Sequence, residues 1–207
     1  MPLQIAALYV EADGVYFGLE GVDPWALPRG SREYPGPHPV VAHPPCQRWG
    51  KYWGGSPRKP HQYHLGDDGG RFAQSLWAAR TFGGVVEHPA DTHAYAYYGL
   101  KHPPRAGGWV PVDDFGGYAC YVEQGHYGHF SRKGTFLYAC KVRLPELIWG
   151  KADKPLPEWM VTRYGYEKAR RIGHMAMVGG KNKTEIRDRT PLPFRDLLIE
   201  IARSIEW

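Results

Sequence analysis

Cysteine is scarce. The 207-residue chain has three, Cys46, Cys120 and Cys140, with no Cys-x-x-Cys pair. An odd count without such a pair gives no disulfide framework and no four-thiolate zinc site. Long apolar runs are missing as well: none approaches the roughly 18 residues of a membrane span, so no membrane partner is expected. The opening MPLQIAALYVEADG has neither a basic leader nor a small-residue cleavage site, which reads as a cytoplasmic protein. GxGxxG, GxxxxGKS/T and GxSxG are all absent. Without them a dinucleotide fingerprint, a phosphate loop and a serine nucleophile elbow lose their sequence support.

What is present is an ordinary soluble composition, 43% hydrophobic, with 26 Lys+Arg against 21 Asp+Glu and a formal net charge of +5. That excludes disorder as the ground state and suits one domain over 1–207. The 26 glycines and 19 prolines, about a fifth of the chain, predict long irregular loops between short elements. Eight Trp and 14 Tyr accompany the mild positive charge. The mixture fits a surface that meets phosphates and stacks on bases, and it fits an aromatic core under a basic surface equally well.

Residues 3–10 and 15–19 are apolar runs flanking Asp13-Gly14, a hairpin signal because that turn needs positive φ. PVVAH at 39–43 reads as a buried strand stopped by Pro44-Pro45, which cannot continue a ladder. Arg71 to Thr81 reads as a helix capped by Asp68, with Phe72, Leu76, Trp77 and Ala79 as its apolar stripe and Gly83-Gly84 as its end. VVEHP at 85–89 is a second short strand stopped by proline. Strand, helix and strand over 39–88 predict a parallel crossover, whose site lies beyond the strand C-terminal ends. Cys46 and Glu87 then share one rim. A short helix over 91–99 capped by Asp91, paired strands at 117–124 and 134–142, a weaker helix at 157–173 interrupted by Gly165, and a final helix from Thr190-Pro191 to Ile205 complete the reading. The fold class is α/β, with a mixed sheet.

The segment 46–70 has no period and is dense in Trp, Tyr, His, Lys and Arg, and structureless loops of this length are uncommon unless functional or disordered. Cys46 opens it, beside His43, Arg48 and Lys51. An unperturbed thiol is only a few per cent thiolate at neutral pH, and nearby cations raise that fraction. The same segment supports a different chemistry: His43, Cys46, His61 and His64 are four ligand types in two close pairs, compatible with tetrahedral zinc.

Pro44-Pro45-Cys46-Gln47 resembles the nucleophile segment of DNA cytosine-5 methyltransferases. Glu87 in Val-Val-Glu-His-Pro resembles that family's next strand-end carboxylate, in Glu-Asn-Val. Tyr127-Gly128 followed by Arg132 and Lys133 resembles its Tyr-Gly and arginine-rich segment before a strand. The three occur in the family's order, and compact phage-encoded methyltransferase-like proteins share the pattern. The resemblance implies a truncated Rossmann-like methyltransferase fold acting on DNA with S-adenosylmethionine as cofactor. It makes Cys46 the thiolate that adds to carbon 6 of a pyrimidine, Glu87 the acid at ring nitrogen 3, and Arg132 and Lys133 the anchors of base or phosphate. Gln47, Arg48, Lys51, Trp53, Lys181, Lys183, Arg187 and Arg189 are then the residues that meet nucleic acid. Trp49, Tyr52, Trp53 and Tyr63 line or fill a vacated base stack. The chain departs from the family in having Glu-His-Pro for Glu-Asn-Val and no Gly-rich turn after its first strand. Two alternatives stand beside it: a cysteine-dependent pyrimidine enzyme using another donor or a free nucleotide, and a non-catalytic nucleic-acid-binding module, with or without zinc.

Overall fold

The computed structural model describes residues 4–26, 29–55, 61–170 and 189–206. Its strands are β1 (Ile5–Val10), β2 (Val22–Ala26), β3 (Val40–Ala42), β4 (Gly84–Pro89), β5 (Val110–Pro111), β6 (Tyr118–Glu123) and β7 (Gly134–Cys140). They form one seven-stranded sheet in the order β2-β1-β3-β4-β7-β6-β5. From β2 to β4 neighbours run parallel, and from β4 to β5 antiparallel. The helices are α1 (Arg71–Phe82), α2 (His93–Tyr97), α3 (Glu158–Tyr164) and α4 (Leu192–Arg203). Among the described residues no helix is long and apolar enough to cross a membrane.

The two-residue period of the strands divides the core into two layers. Val40, Ala42, Val86, Phe136 and Tyr138 face α1, where Phe72, Leu76 and Ala79 meet them. Val41, Val85, Leu137 and Ala139 face α4 and pack on Phe194, Leu198 and Ile201. The expected β3–α1–β4 crossover is present, and β3 pairs in register with β4, Ala42 opposite Val86. The close approach of these strands depends on Gly84, where an added Cβ would lie 2.1 Å from the Val40 carbonyl oxygen at φ +132. Trp77, expected in the buried stripe, is instead 49% exposed. It lies one residue past Leu76, a turn of roughly 100° about the helix axis, and packs on Phe82 instead. In α4 the expected Leu197 and Ile205 are only partly buried, Ile205 bridging Val142 beyond the helix end.

Two local expectations are overturned. The segment after Asp13-Gly14 makes no hairpin: β2 begins at Val22 and runs parallel to β1. Both edges of β1 are occupied, by β2 and β3, so 15–19 has no free edge to join. It crosses the α4 face instead and buries Tyr16 there, with Arg195 donating to the Val15 carbonyl. At 91–99 the cap is Thr92, whose hydroxyl accepts from Ala94 N. Asp91 pairs with Arg105 instead.

Candidate functional site

One rim of the sheet collects the chemistry. β3 and β4 are parallel, so their carboxyl ends coincide. β7 runs against β4, with Pro89 opposite Thr135, and Glu123 of β6 lies opposite Gly134. Segments 43–50, 87–89 and 124–133 therefore meet at one end of the molecule. His43 and Glu87 follow Val41 and Val85 at two-residue spacing and so share the α4 face.

Glu87 is the hub. Its Oε2 lies 3.1 Å from His43 Nδ1, and its Oε1 accepts from Gln124 Nε2 at 3.1 Å. His43 Nε2 is 2.8 Å from the Tyr16 hydroxyl. Gln124 also donates to Thr135 Oγ1 at 3.0 Å, and Thr135 donates in turn to the Lys133 carbonyl. Burial pushes the Glu87 carboxyl up, but the His43 hydrogen bond and charge, with Lys133 and His88 behind them, hold it below the ordinary carboxylate range. At neutral pH Glu87 is a carboxylate and can only accept hydrogen bonds. Tyr16 and Gln124 are the residues that reading the sequence missed. Gln124 follows a strand ending at the same rim as Glu87, a signal that pairing could have given. Tyr16 was hidden by the hairpin expectation.

Cys46 is half-buried. Pro44-Pro45 ends β3, and the Cys46 carbonyl accepts from Trp49 N and Gly50 N, which turns the chain sharply. A cleft of about 230 Å³ is lined by Pro45 and Gln47, the residues on either side of Cys46, with Arg48, Asp67, Asp68 and Arg71. Neither Cys46 nor Glu87 lines that cleft: Glu87 belongs to the same rim and faces the His43 side.

The loop that follows is anchored by Trp49, fully buried rather than available to a base stack. Its indole N–H donates to Asp68 Oδ2 at 2.8 Å, and the same carboxylate accepts from Gly70 N, Arg71 N and Phe72 N at the start of α1. One side chain thus caps the helix and holds the loop. Asp68→Asn exchanges one acceptor oxygen for a donor facing N–H groups, and the expected cost is about 2 kcal/mol. Urea unfolding would show it, and a change below about 0.5 kcal/mol would contradict this account.

Of the expected nucleic-acid contacts, Gln47 and Lys51 are exposed, and Arg48 and Trp53 are partly exposed. The Arg48 guanidinium stacks 3.3 Å over the Tyr63 ring, and Lys51 lies 5.7 Å from the ring of Tyr52, which is 66% exposed. Arg132 Nε donates to the Ala152 carbonyl at 3.1 Å and lies 3.8 Å from Glu123, so its guanidinium is turned toward residues 123 and 152. Lys133 Nζ donates to the carbonyl of Arg189, which is exposed. Tyr127 is structural, its hydroxyl accepting from Ile148 N and its ring lying on Phe194. Lys181, Lys183 and Arg187 lie outside the described residues.

Among the described residues no three His, Cys, Asp or Glu side chains converge as metal ligands. Both His43 nitrogens face Tyr16 and Glu87, which removes it from the expected zinc set. S-adenosylmethionine would need a cradle at the turn after β1. There Gly14 N donates to Glu11 O and Phe17 N to Gly14 O, and a Cβ at Gly14 would lie 2.9 Å from the Glu11 oxygen. These amides are spent inside the turn, so the residues present do not fit that cofactor. A cavity of about 310 Å³ lined by Leu19, Glu20, Val22 and α4 residues lies at the amino end of β2, the opposite end from the rim. No protein-family model matches the chain, and no curated protein matches it.

Proposed function

We propose that the chain is a DNA-directed enzyme that adds the Cys46 thiolate to a pyrimidine base, in the manner of the DNA cytosine-5 methyltransferases its motifs resemble. The observation that carries this reading is that nucleophile segment, strand-end carboxylate and arginine-rich segment come to one rim through the pairing of β3, β4 and β7. A parallel half-sheet with α1 and α4 on its two faces supports a shortened Rossmann-like methyltransferase architecture for the same reason.

The addition is balanced within the site. A bond forms between sulfur and carbon 6, the electrons of the 5,6 double bond move toward the ring nitrogen, and that nitrogen takes a proton from the Glu87 side. Carbon 5 becomes nucleophilic. In duplex DNA the base must first leave the stack. The experiment is incubation with an oligonucleotide carrying 5-azacytosine, whose ring nitrogen at position 5 takes a proton after sulfur adds and so needs no further donor: a denaturant-resistant adduct is expected. Binding without an adduct would leave a nucleic-acid-binding module in place of an enzyme.

The surface around Arg48, Lys51, Tyr52 and Tyr63 has stacking rings beside cations, which suits strand backbone and unpaired bases. Affinity for a single-stranded DNA oligonucleotide should fall steeply with salt. Arg48→Ala should weaken binding and flatten the slope of log K against log salt by roughly one. Fluorescence anisotropy checks this, and an unchanged slope would remove Arg48 from the interface.

A further inference from the structure

Glu87 does not stand alone at the rim. A chain of side chains runs into it from the crossover after β1: Tyr16 hydroxyl to His43 Nε2 at 2.8 Å, and His43 Nδ1 to Glu87 Oε2 at 3.1 Å. On the other side Gln124 fixes Oε1. The orientation of Gln124 is set by its neighbours, because Thr135 gives its proton to the Lys133 carbonyl and must accept from Nε2.

We infer that Tyr16 and His43 are positioning residues that hold Glu87 in place and lend it the proton it passes to the ring nitrogen. The inference rests on the reading of Glu87 as the acid of the proposed reaction. A carboxylate can only accept, so Nδ1 is the donor to it whether His43 is neutral or charged. Nε2 then accepts from the Tyr16 hydroxyl when the imidazole is neutral and donates to the same oxygen when it is charged. Tyr16 suits both states, because a hydroxyl rotates to give or take a hydrogen bond. It is 2% exposed, and burial keeps it an un-ionised phenol.

The transfer balances. One proton moves from Nδ1 of charged His43 to Oε2 of Glu87, the neutral imidazole keeps its other proton on Nε2 and goes on donating it to the Tyr16 hydroxyl, and an ion pair becomes a neutral pair. Neutral Glu87 then protonates the ring nitrogen as the thiolate adds, and returns to a carboxylate. The charged and titratable groups around it are His43 from the end of β3, Lys133 from the lead into β7 and His88 on its own strand. Arg195 and Asp196 of α4 act on Tyr16.

The test uses the full chain and two readouts on wild type, His43→Gln and Tyr16→Phe. The first is the pH titration of the Glu87 carboxyl carbon by ¹³C NMR, assigned with Glu87→Gln. The second is the rate of adduct formation with a saturating 5-azacytosine oligonucleotide across pH. His43→Gln keeps an N–H for Oε2 but has no proton that it can transfer. Its Glu87 midpoint should rise by about one pH unit or more, and the acid limb of the rate profile should move with it. Tyr16→Phe loses only a hydroxyl and should slow the saturated rate about tenfold with oligonucleotide affinity unchanged. If both variants are folded and neither midpoint nor profile moves while wild type still forms the adduct, the arm is overturned and the enzyme reading stands. If the midpoint moves but wild type forms no adduct, His43 still positions Glu87, and it is the enzyme reading that falls.

Discussion

Cys46→Ser is expected to cut adduct formation with 5-azacytosine DNA by at least about a hundredfold, with oligonucleotide affinity and unfolding midpoint unchanged. Serine matches the thiol closely in shape, so the turn that closes on the Cys46 carbonyl survives. What is lost is ionisation, since a hydroxyl does not supply the anion that adds to carbon 6. The other two thiols cannot stand in for it. Cys120 is fully buried in the layer facing α4, and burial pushes its thiol far up. Cys140 is 3% exposed, with its sulfur directed at the Phe115 carbonyl, and is pushed up for the same reason. Buried thiols of this kind are inert. Mass spectrometry of the denatured complex should therefore find the base on Cys46, with Cys120→Ala and Cys140→Ala still reactive where they fold. An undiminished adduct in Cys46→Ser would end the proposal.

The parts of this site that were legible in the sequence are those fixed by local chemistry. Pro44-Pro45 stops β3 and Pro89 stops β4 after a few apolar residues, which puts Cys46 and Glu87 just beyond or at two strand ends, and Asp68 announces the start of α1. The pairing of β6 with β7 follows from two apolar runs joined by a polar loop. The first crossover was not legible, because Asp13-Gly14 signals a turn without specifying which strand will pair with which. That choice depends on β1 having both edges taken by partners distant in sequence. The consequence reaches the site, since the same crossover delivers Tyr16 to His43. Trp49 failed for a related reason: an aromatic in a polar loop looks exposed until a partner such as Asp68 is shown to satisfy its indole N–H. The sequence also suggested that Cys46 and Glu87 would share a rim, which the strand register supports. It gave no sign that Glu87 would be held between His43 and Gln124.

The neighbour of Glu87 ties stability to pH. His88 points to the opposite face, against the edge of Phe72 at 5.0 Å between ring centroids, and is 1% exposed. Among the described residues neither ring nitrogen makes a hydrogen bond of normal geometry, although the Pro45 carbonyl lies close enough to favour the protonated ring. Desolvation lowers its pKa from 6.5 to about 4, outweighing the opposing pull of Glu87, Asp68 and the nearby Pro45 carbonyl. In an unfolded chain His88 takes its proton near 6.5, and in the folded chain it resists until about 4. Between those values the unfolded state holds the extra proton, so stability falls as pH falls. The contribution is fully present above 6.5 and fully lost below about 4. At 1.36 kcal/mol per pKa unit the loss is about 3 kcal/mol, a large share of a typical domain's 5–15 kcal/mol. Glu87, held below the ordinary carboxylate range, contributes stability above its unfolded pKa and loses it only at lower pH, so the two windows separate. His88→Phe keeps the ring and removes both nitrogens. Urea midpoints from pH 7.5 to 4 should fall steeply for wild type and stay nearly flat for the variant, the gap opening below 6.5. Parallel curves would mean that His88 is protonated in the folded chain, which would require water or a partner group at its ring nitrogens.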